Sequence, residues 1–343
     1  MNKKLDEKIY HIWHPFTNMN VFYEEPLIFT EGHGSLLKDV NNKTYINALS
    51  GLWNTAFGLG DQEVIDAITA QLKNISYASL FRMGHAIAQR YAEKLFQVLP
   101  GNLSKVFFTS NGSEAVETMI KATRQFYKLQ GKHGKMNIIC LRRAYHGVSY
   151  GALSASGFTE DQEMYAQLLP GFIHIEPPYC YRCPYHRKVD DCQTECAREI
   201  ENVIQKVGID KIAAFMMEPI LGFGGFIVPP DKFHEELIKI LRKYDILLLM
   251  DEVTTGFGRT GKFFACEHWG LSPDMMALGK AISGGYIPLG ATVFSEEIYH
   301  TFLRAGVTGR FAHGSTYSGN PAACAAGEKM LEIYQRADVS AKA

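Results

Sequence analysis

The chain has 343 residues, of which 46% are hydrophobic and 21% charged, with a formal net charge of −1. That length accommodates about two domains around a large core, and the composition is that of an ordinary globular protein. The near-neutral balance excludes recognition of nucleic acid or a membrane surface by bulk charge, and no apolar run is long enough to span a bilayer.

Residues 1–8 mix both signs with no apolar run behind them, so they do not read as a signal peptide, and the expected location is cytoplasmic. Residues 1–55 carry short mixed runs and turn pairs such as Asn41-Asn42, which predict a small sheet and an arm outside the main domain. Asp61 is placed to cap a helix with Val64, Ile65, Ile68 and Leu72 on one face. A second helix, carrying Ala88, Tyr91, Leu95 and Leu99, stops at Pro100-Gly101. Residues 105–109 then read as a strand and 113–129 as a helix. Further strands are expected at 137–141, 212–217, 246–250, 275–278 and 291–294, with a helix over 231–244. Apolar strands separated by amphipathic helices predict an α/β fold, a mostly parallel sheet flanked by helices, with ligands bound outside the carboxyl ends of the strands. No internal repeat or low-complexity segment interrupts the pattern.

Seven cysteines is an odd number, and free thiols fit a reducing compartment. Four of them cluster, Cys180-x2-Cys183 followed after eight residues by Cys192-x3-Cys196. Paired thiolates can complete a tetrahedral zinc site, with His186 as a fifth candidate. The gap is shorter than in most zinc modules, so the reading adopted is free or partly buried thiols in an excursion loop, with structural metal as the alternative.

Chemistry concentrates at the ends of the expected strands. Lys280 lies between the apolar run 275–278 and the turn Ser283-Gly284-Gly285. A lysine that attacks a carbonyl needs a tight, water-poor site, and small neighbours leave room for a cofactor. Asp251, after 247–250, offers a fixed negative charge that would keep a pyridine nitrogen protonated; alone it reads equally as a cap. Together Lys280 and Asp251 form the pattern expected of a pyridoxal 5'-phosphate site, with Lys280 as the Schiff-base lysine. Gly112 lets the backbone approach an anion, and Ser113 can cap the helix that follows while offering its N–H and hydroxyl to a phosphate. Tyr145 or His146 can cover one face of a planar ring and Val253 the other. Glu218, directly after a buried strand, needs a partner: it holds a polar network beside the cofactor or caps the next loop. The turn His313-Gly314-Ser315-Thr316 carries hydroxyls that can meet a phosphate oxygen or serve turn chemistry alone.

In this order and spacing the motifs resemble the class III aminotransferases, a family of fold-type I (aspartate aminotransferase-like) pyridoxal-phosphate enzymes. The stretch 249–261 with Pro273-Asp274 and Gly279-Lys280 carries most of that resemblance. It implies that Lys280 is the Schiff-base and proton-shuttling lysine, Asp251 the pyridinium partner, Gly112 and Ser113 the phosphate cradle, and Tyr145 the stacking aromatic. It also implies that Glu218 belongs to the active-site network and that Thr316 reaches the phosphate of a neighbouring subunit, hence a homodimer with shared sites. Ser50-Gly51-Leu52-Trp53-Asn54 is most similar to the omega-amino acid (amine–pyruvate) transaminases, in which the aromatic shapes the substrate pocket, although Trp53 also suits a core position. The diaminopelargonate synthases of biotin formation share the segment Trp13-His14-Pro15-Phe16-Thr17 but usually show a Trp-Trp pair where this chain has Leu52-Trp53.

Three departures stand out: the four-cysteine excursion, Asn320 where many members have histidine, and an end within a helical pattern opened near Ala322. Family members continue for roughly a hundred residues more, which complete the small domain and in many members supply an arginine for the substrate carboxylate. The expected layout is therefore an arm and part of a small domain over 1–55, a large cofactor domain over 56–321, and an incomplete small-domain segment over 322–343. The expected reaction is ping-pong transfer of an amino group from an amine or omega-amino acid to a keto acid such as pyruvate. An aminomutase or lyase on the same scaffold, and a truncated non-catalytic paralogue, are the alternatives.

Overall fold

A computed structural model describes residue 5, residues 8–165 and residues 167–343. Residues 1–4, 6 and 7, which carry most of the opening segment read above as no signal peptide, lie outside the described residues.

The amino-terminal part opens with helix α1 (Met19–Glu24), capped by the Asn18 side chain, which accepts from the Asn20 N–H. Strands β1 (Phe29–His33), β2 (Leu36–Asp39) and β3 (Thr44–Ile46) form an antiparallel sheet in that order. The buried Asp39 carboxylate closes its last turn by accepting from the N–H groups of Asn41 and Lys43 at 2.8 and 2.9 Å.

A short kinked helix, α2 (Ser50–Trp53), leads to α3 (Gln62–Asn74) and α4 (Ala86–Phe96). Asp61 caps α3 as its spacing predicts, accepting from Glu63 and Val64. The chain then alternates through β4 (Leu103–Thr109), α5 (Gly112–Leu129), β5 (Asn137–Leu141), α6 (Tyr150–Ala155), α7 (Thr159–Glu163) and β6 (Phe172–Ile175). After the cysteine excursion come α8 (Glu195–Val207), β7 (Ile212–Met217), α9 (Asp231–Tyr244), β8 (Leu247–Asp251), β9 (Met275–Leu278) and β10 (Gly290–Ser295). Helices α10 (Glu296–Arg304), α11 (Pro321–Arg336) and α12 (Val339–Lys342) complete the chain.

The seven central strands run in the order β4-β10-β9-β8-β7-β5-β6. Strands β9, β8, β7, β5 and β6 pair in parallel, whereas β10 is antiparallel to both of its neighbours. A parallel return needs a crossover of about a dozen residues, usually a helix. The segment between β9 and β10 holds only a single 3-10 turn at Lys280–Ser283, so the chain doubles back. Every residue of β7, β8, β9 and β10 is buried, because helices cover both faces; that is why these strands read as continuous apolar runs. Helices α4, α8, α9 and α11 bury their apolar sides on one face of the sheet, and α5 and α6 on the other. Strand β6 and helix α8 are additions to the sequence reading. The α8 residues Cys196, Ala197, Ile200 and Ile204 are buried, so the excursion ends in a packed helix rather than a loop. No helix among the described residues is long and apolar enough to cross a membrane.

Candidate active site

Strands β4, β5, β7, β8 and β9 point the same way, so the segments that follow them gather at one edge of the sheet. There they enclose a cavity of about 740 Å³, lined among others by Gly112, Ser113, Tyr145, His146, Asp251, Val253 and Lys280. This volume suits a cofactor with a small substrate. Seven of the residues singled out from the sequence thus meet in one place.

Asp251 ends β8 with its side chain turned into the cavity wall. Its Oδ2 lies 2.8 Å from His146 Nδ1, and its Oδ1 accepts from the Val253 N–H at 3.0 Å. Both side chains of the Asp251–His146 pair are buried. Two carboxylate oxygens carry about four lone-pair sites, so a donor from the cavity can still be accepted. His146 Nε2 is buried with no hydrogen-bond partner among the described residues. With His146 committed to Asp251, Tyr145 is the ring left to cover a planar ligand, and it packs against Phe223 at 5.2 Å.

Glu218 stands behind Tyr145. Its Oε1 accepts from the Tyr145 N–H at 2.9 Å and its Oε2 from the Gly222 N–H at 3.0 Å. Burial pushes its carboxyl up to about 7, assisted by Asp251 and opposed by His146 and these two backbone donors.

The amino end of α5 faces the cavity with backbone groups. Asn111, not Ser113, caps α5, accepting from the Glu114 N–H at 2.9 Å. Ser113 Oγ instead accepts from the Val148 N–H at 3.1 Å. The first-turn amides of a helix have no intrahelical acceptor, and the dipole of this 18-residue helix favours an anion beside them. Two glycines keep the cradle open. A Cβ on Gly112 would lie 2.8 Å from Val253 Cγ1, and one on Gly147, whose φ is +125°, would lie 2.3 Å from Ser113 Oγ.

Lys280 follows β9 with φ +47°, in the left-handed region that costs a non-glycine residue on the order of 1 kcal/mol. Its Nζ donates to Thr254 Oγ1 at 2.6 Å and sits 5.1 Å from the centre of the Trp53 ring. Burial lowers its pKa, as does nearby Arg259, while Asp251 and Glu218 act the other way. A buried amine with a lowered pKa is the form that attacks a carbonyl. Trp53 itself is half-buried and meets Phe226 edge-on at 5.7 Å, so its ring stands by the Lys280 amine rather than in the core.

Thr316 lies elsewhere. It is exposed and does not line the cavity, and its carbonyl accepts from the Tyr77 hydroxyl at 2.8 Å. Thr254 carried no role in the sequence reading, although its hydroxyl stands three residues after Asp251 in the same turn. Its neighbour Glu252, fully buried, ties that turn down by accepting from Cys266 N–H at 2.8 Å and Thr255 Oγ1 at 2.5 Å.

The four clustered cysteines line a separate cavity of about 210 Å³ with Tyr179, Tyr185 and Pro230. Among the described residues no three His, Cys, Asp or Glu side chains are placed to hold a metal ion.

Residues 19–343 match the model of the class-III aminotransferase family. The adenosylmethionine-8-amino-7-oxononanoate aminotransferase of Methanocaldococcus jannaschii is 37% identical, over 96% of this chain and 74% of its own length. The gamma aminobutyrate transaminase 2 of Solanum lycopersicum is 36% identical, over 95% of this chain and 72% of its own. Among solved structures, the thermostable (S)-enantioselective omega-transaminase of Thermomicrobium roseum superposes with a TM-score of 0.92 at 37% identity, covering 96% of this chain and 74% of that one. The omega-transaminase of Pseudomonas jessenii in complex with PMP gives 0.93 at 36% identity, with the same coverage.

Proposed function

Because this chain belongs to the class III aminotransferases, and so is a pyridoxal 5'-phosphate-dependent aminotransferase of fold type I, we propose that Lys280 is the amine that bonds its cofactor. One observation carries this reading: the half-buried Lys280, whose amine is held by Thr254, and the buried carboxylate of Asp251 share a cavity with the glycine-bounded amino end of α5.

When bound, the cofactor supplies a protonated ring that draws electrons from the substrate carbon. Asp251 would hold the proton on the ring nitrogen, and His146 fixes Asp251. Tyr145 and Val253 would cover the two ring faces, and Glu218 sets Tyr145 by holding its backbone N–H. The amides of Gly112 and Ser113 would hold the phosphate. With the donor amine in place, Lys280 Nζ would be the group that takes and returns the proton at the amine-bearing carbon. The donor product leaves before the acceptor enters, which makes the kinetics ping-pong.

The donor is an amine or omega-amino acid and the acceptor a keto acid, with pyruvate first; the omega-transaminases among the structural neighbours and the Trp53 ring beside the Lys280 amine support this choice. Initial rates with both substrates varied test it: parallel double-reciprocal lines are expected. Product formed without any keto acid would sink it in favour of an aminomutase or lyase. A second reading takes 8-amino-7-oxononanoate as acceptor, favoured by the name that the Methanocaldococcus relative carries; rates with that acceptor beside pyruvate decide between them.

Two copies are proposed to form the working unit, with Thr316 of one copy reaching the site of the other. Thr316 is exposed, and so are the apolar side chains of Phe81 and Tyr317 beside its turn. Seven free thiols fit the cytoplasm as the proposed location.

A further inference from the structure

We propose that Thr254 is the positioning residue that holds the Lys280 amine whenever that amine is free, so that it stays beside the reacting carbon; this rests on the reading of Lys280 above. The amine donates to Thr254 Oγ1 at 2.6 Å. Other charged groups act on Lys280 from further off: Asp251 at the end of β8, Glu218 after β7 and Arg259 beyond the β8 turn. The Trp53 ring offers only its face, at 5.1 Å.

The hydroxyl is aimed by its own side chain. Thr254 follows Val253, whose N–H is pinned to Asp251 Oδ1 at 3.0 Å, so the backbone of this turn is fixed to β8. Its γ-methyl packs on Gly222: a Cβ there would come within 3.1 Å of Thr254 Cγ2 and 3.4 Å of Glu218 Oε2. Gly222 is itself held by its N–H bond to Glu218 at 3.0 Å. A β-branched side chain is stiff at χ1, so seating the methyl against Gly222 turns the hydroxyl toward Lys280. Lys280 meets it from a strained left-handed backbone at φ +47°, a conformation kept where the surroundings over-determine it. The relationship is one of two fixed backbones presenting one donor and one acceptor.

A general acid–base group works only within hydrogen-bond reach of its proton. A four-carbon chain left without an acceptor would search several rotamers, and the buried ammonium form would lose its nearest partner. T254V keeps the shape and the methyl contact and deletes the acceptor. T254S keeps the acceptor and deletes the methyl.

Two readouts test this on the full chain. The first is the pH profile of Lys280 acetylation by acetic anhydride in cofactor-free protein, followed by mass spectrometry. T254V should move the midpoint down by about one pH unit, because a hydrogen bond to the charged form favours that form; T254S, which keeps the acceptor but loses the methyl that aims it, should fall between T254V and wild type. The second is the isotope effect on kcat with a donor deuterated at its amine-bearing carbon. It should rise in T254V as proton transfer becomes limiting, and in T254S it should lie between T254V and wild type. A wild-type chain that transfers no amino group overturns the functional reading and this role together. A working wild type beside a T254V variant that matches it in both readouts overturns the Thr254 assignment alone.

Discussion

His146 Nδ1 lies 2.8 Å from Asp251 Oδ2, and both side chains are shut away from solvent at the end of β8. The pair explains how a carboxylate stays in a buried site: it is hydrogen-bonded from two sides, by the imidazole and by the Val253 N–H.

D251N keeps the shape and the hydrogen bond from Val253 but removes the charge that would hold a ring nitrogen protonated. Turnover at saturating pyridoxal phosphate should fall by about 10²–10³-fold, the loss expected when one fixed electrostatic contact to the reacting group is removed. A variant that turns over as fast as wild type would remove Asp251 from the mechanism.

Much of this site is legible in the sequence because its residues follow apolar strands. Lys280, Asp251 and Glu218 each end or follow an apolar run that is buried throughout, and a polar residue at such a boundary has to be explained. What the sequence hides is long-range pairing. Thr254 is an ordinary turn threonine until β8 and β9 lie side by side and bring Lys280 to it. Asn111 and Ser113 compete locally as caps, and the closeness of Val148 to Ser113 settles which one is free to cap α5. The reversal of β10 is legible only from the missing crossover helix, which periodicity alone does not reveal.

Glu218 gives the fold a pH dependence with a defined sign. Its carboxyl rises from an ordinary 4.5 to about 7 because it is buried, so the folded state keeps a proton that the unfolded chain releases. The stabilisation is complete below about 4.5 and is lost as pH rises through about 7, a total of ~3 kcal/mol. E218Q should remove this slope. Urea midpoints at pH 5 and pH 8 check it: wild type should lose more between them than the variant, and equal losses would rule Glu218 out as the source.

Gly147 has no room for a side chain. At φ +125°, with Ser113 Oγ only 2.3 Å from the place of a Cβ, G147A should cost about 1–3 kcal/mol in stability. It should also weaken capture of pyridoxal phosphate, read as the concentration needed for half-maximal visible absorbance. Unchanged capture would mean that the turn after Tyr145 does not shape the phosphate cradle.

Trp53 covers the amine of Lys280 at 5.1 Å and meets Phe226 edge-on at 5.7 Å. W53A should lower kcat/KM for aromatic donor amines by about tenfold, the loss of roughly one cation–π or aromatic contact, and should leave pyridoxal phosphate binding intact. Equal effects on every donor, large or small, would assign Trp53 to the fold instead.

The most direct measurement maps the lysine that holds the cofactor. Protein loaded with pyridoxal phosphate is reduced with borohydride, with and without prior addition of a donor amine, and its peptides are weighed. The account predicts the reduced cofactor on the peptide carrying Lys280 without donor, and its disappearance from that peptide when the donor is added first. An adduct on another lysine, or on none, would contradict it.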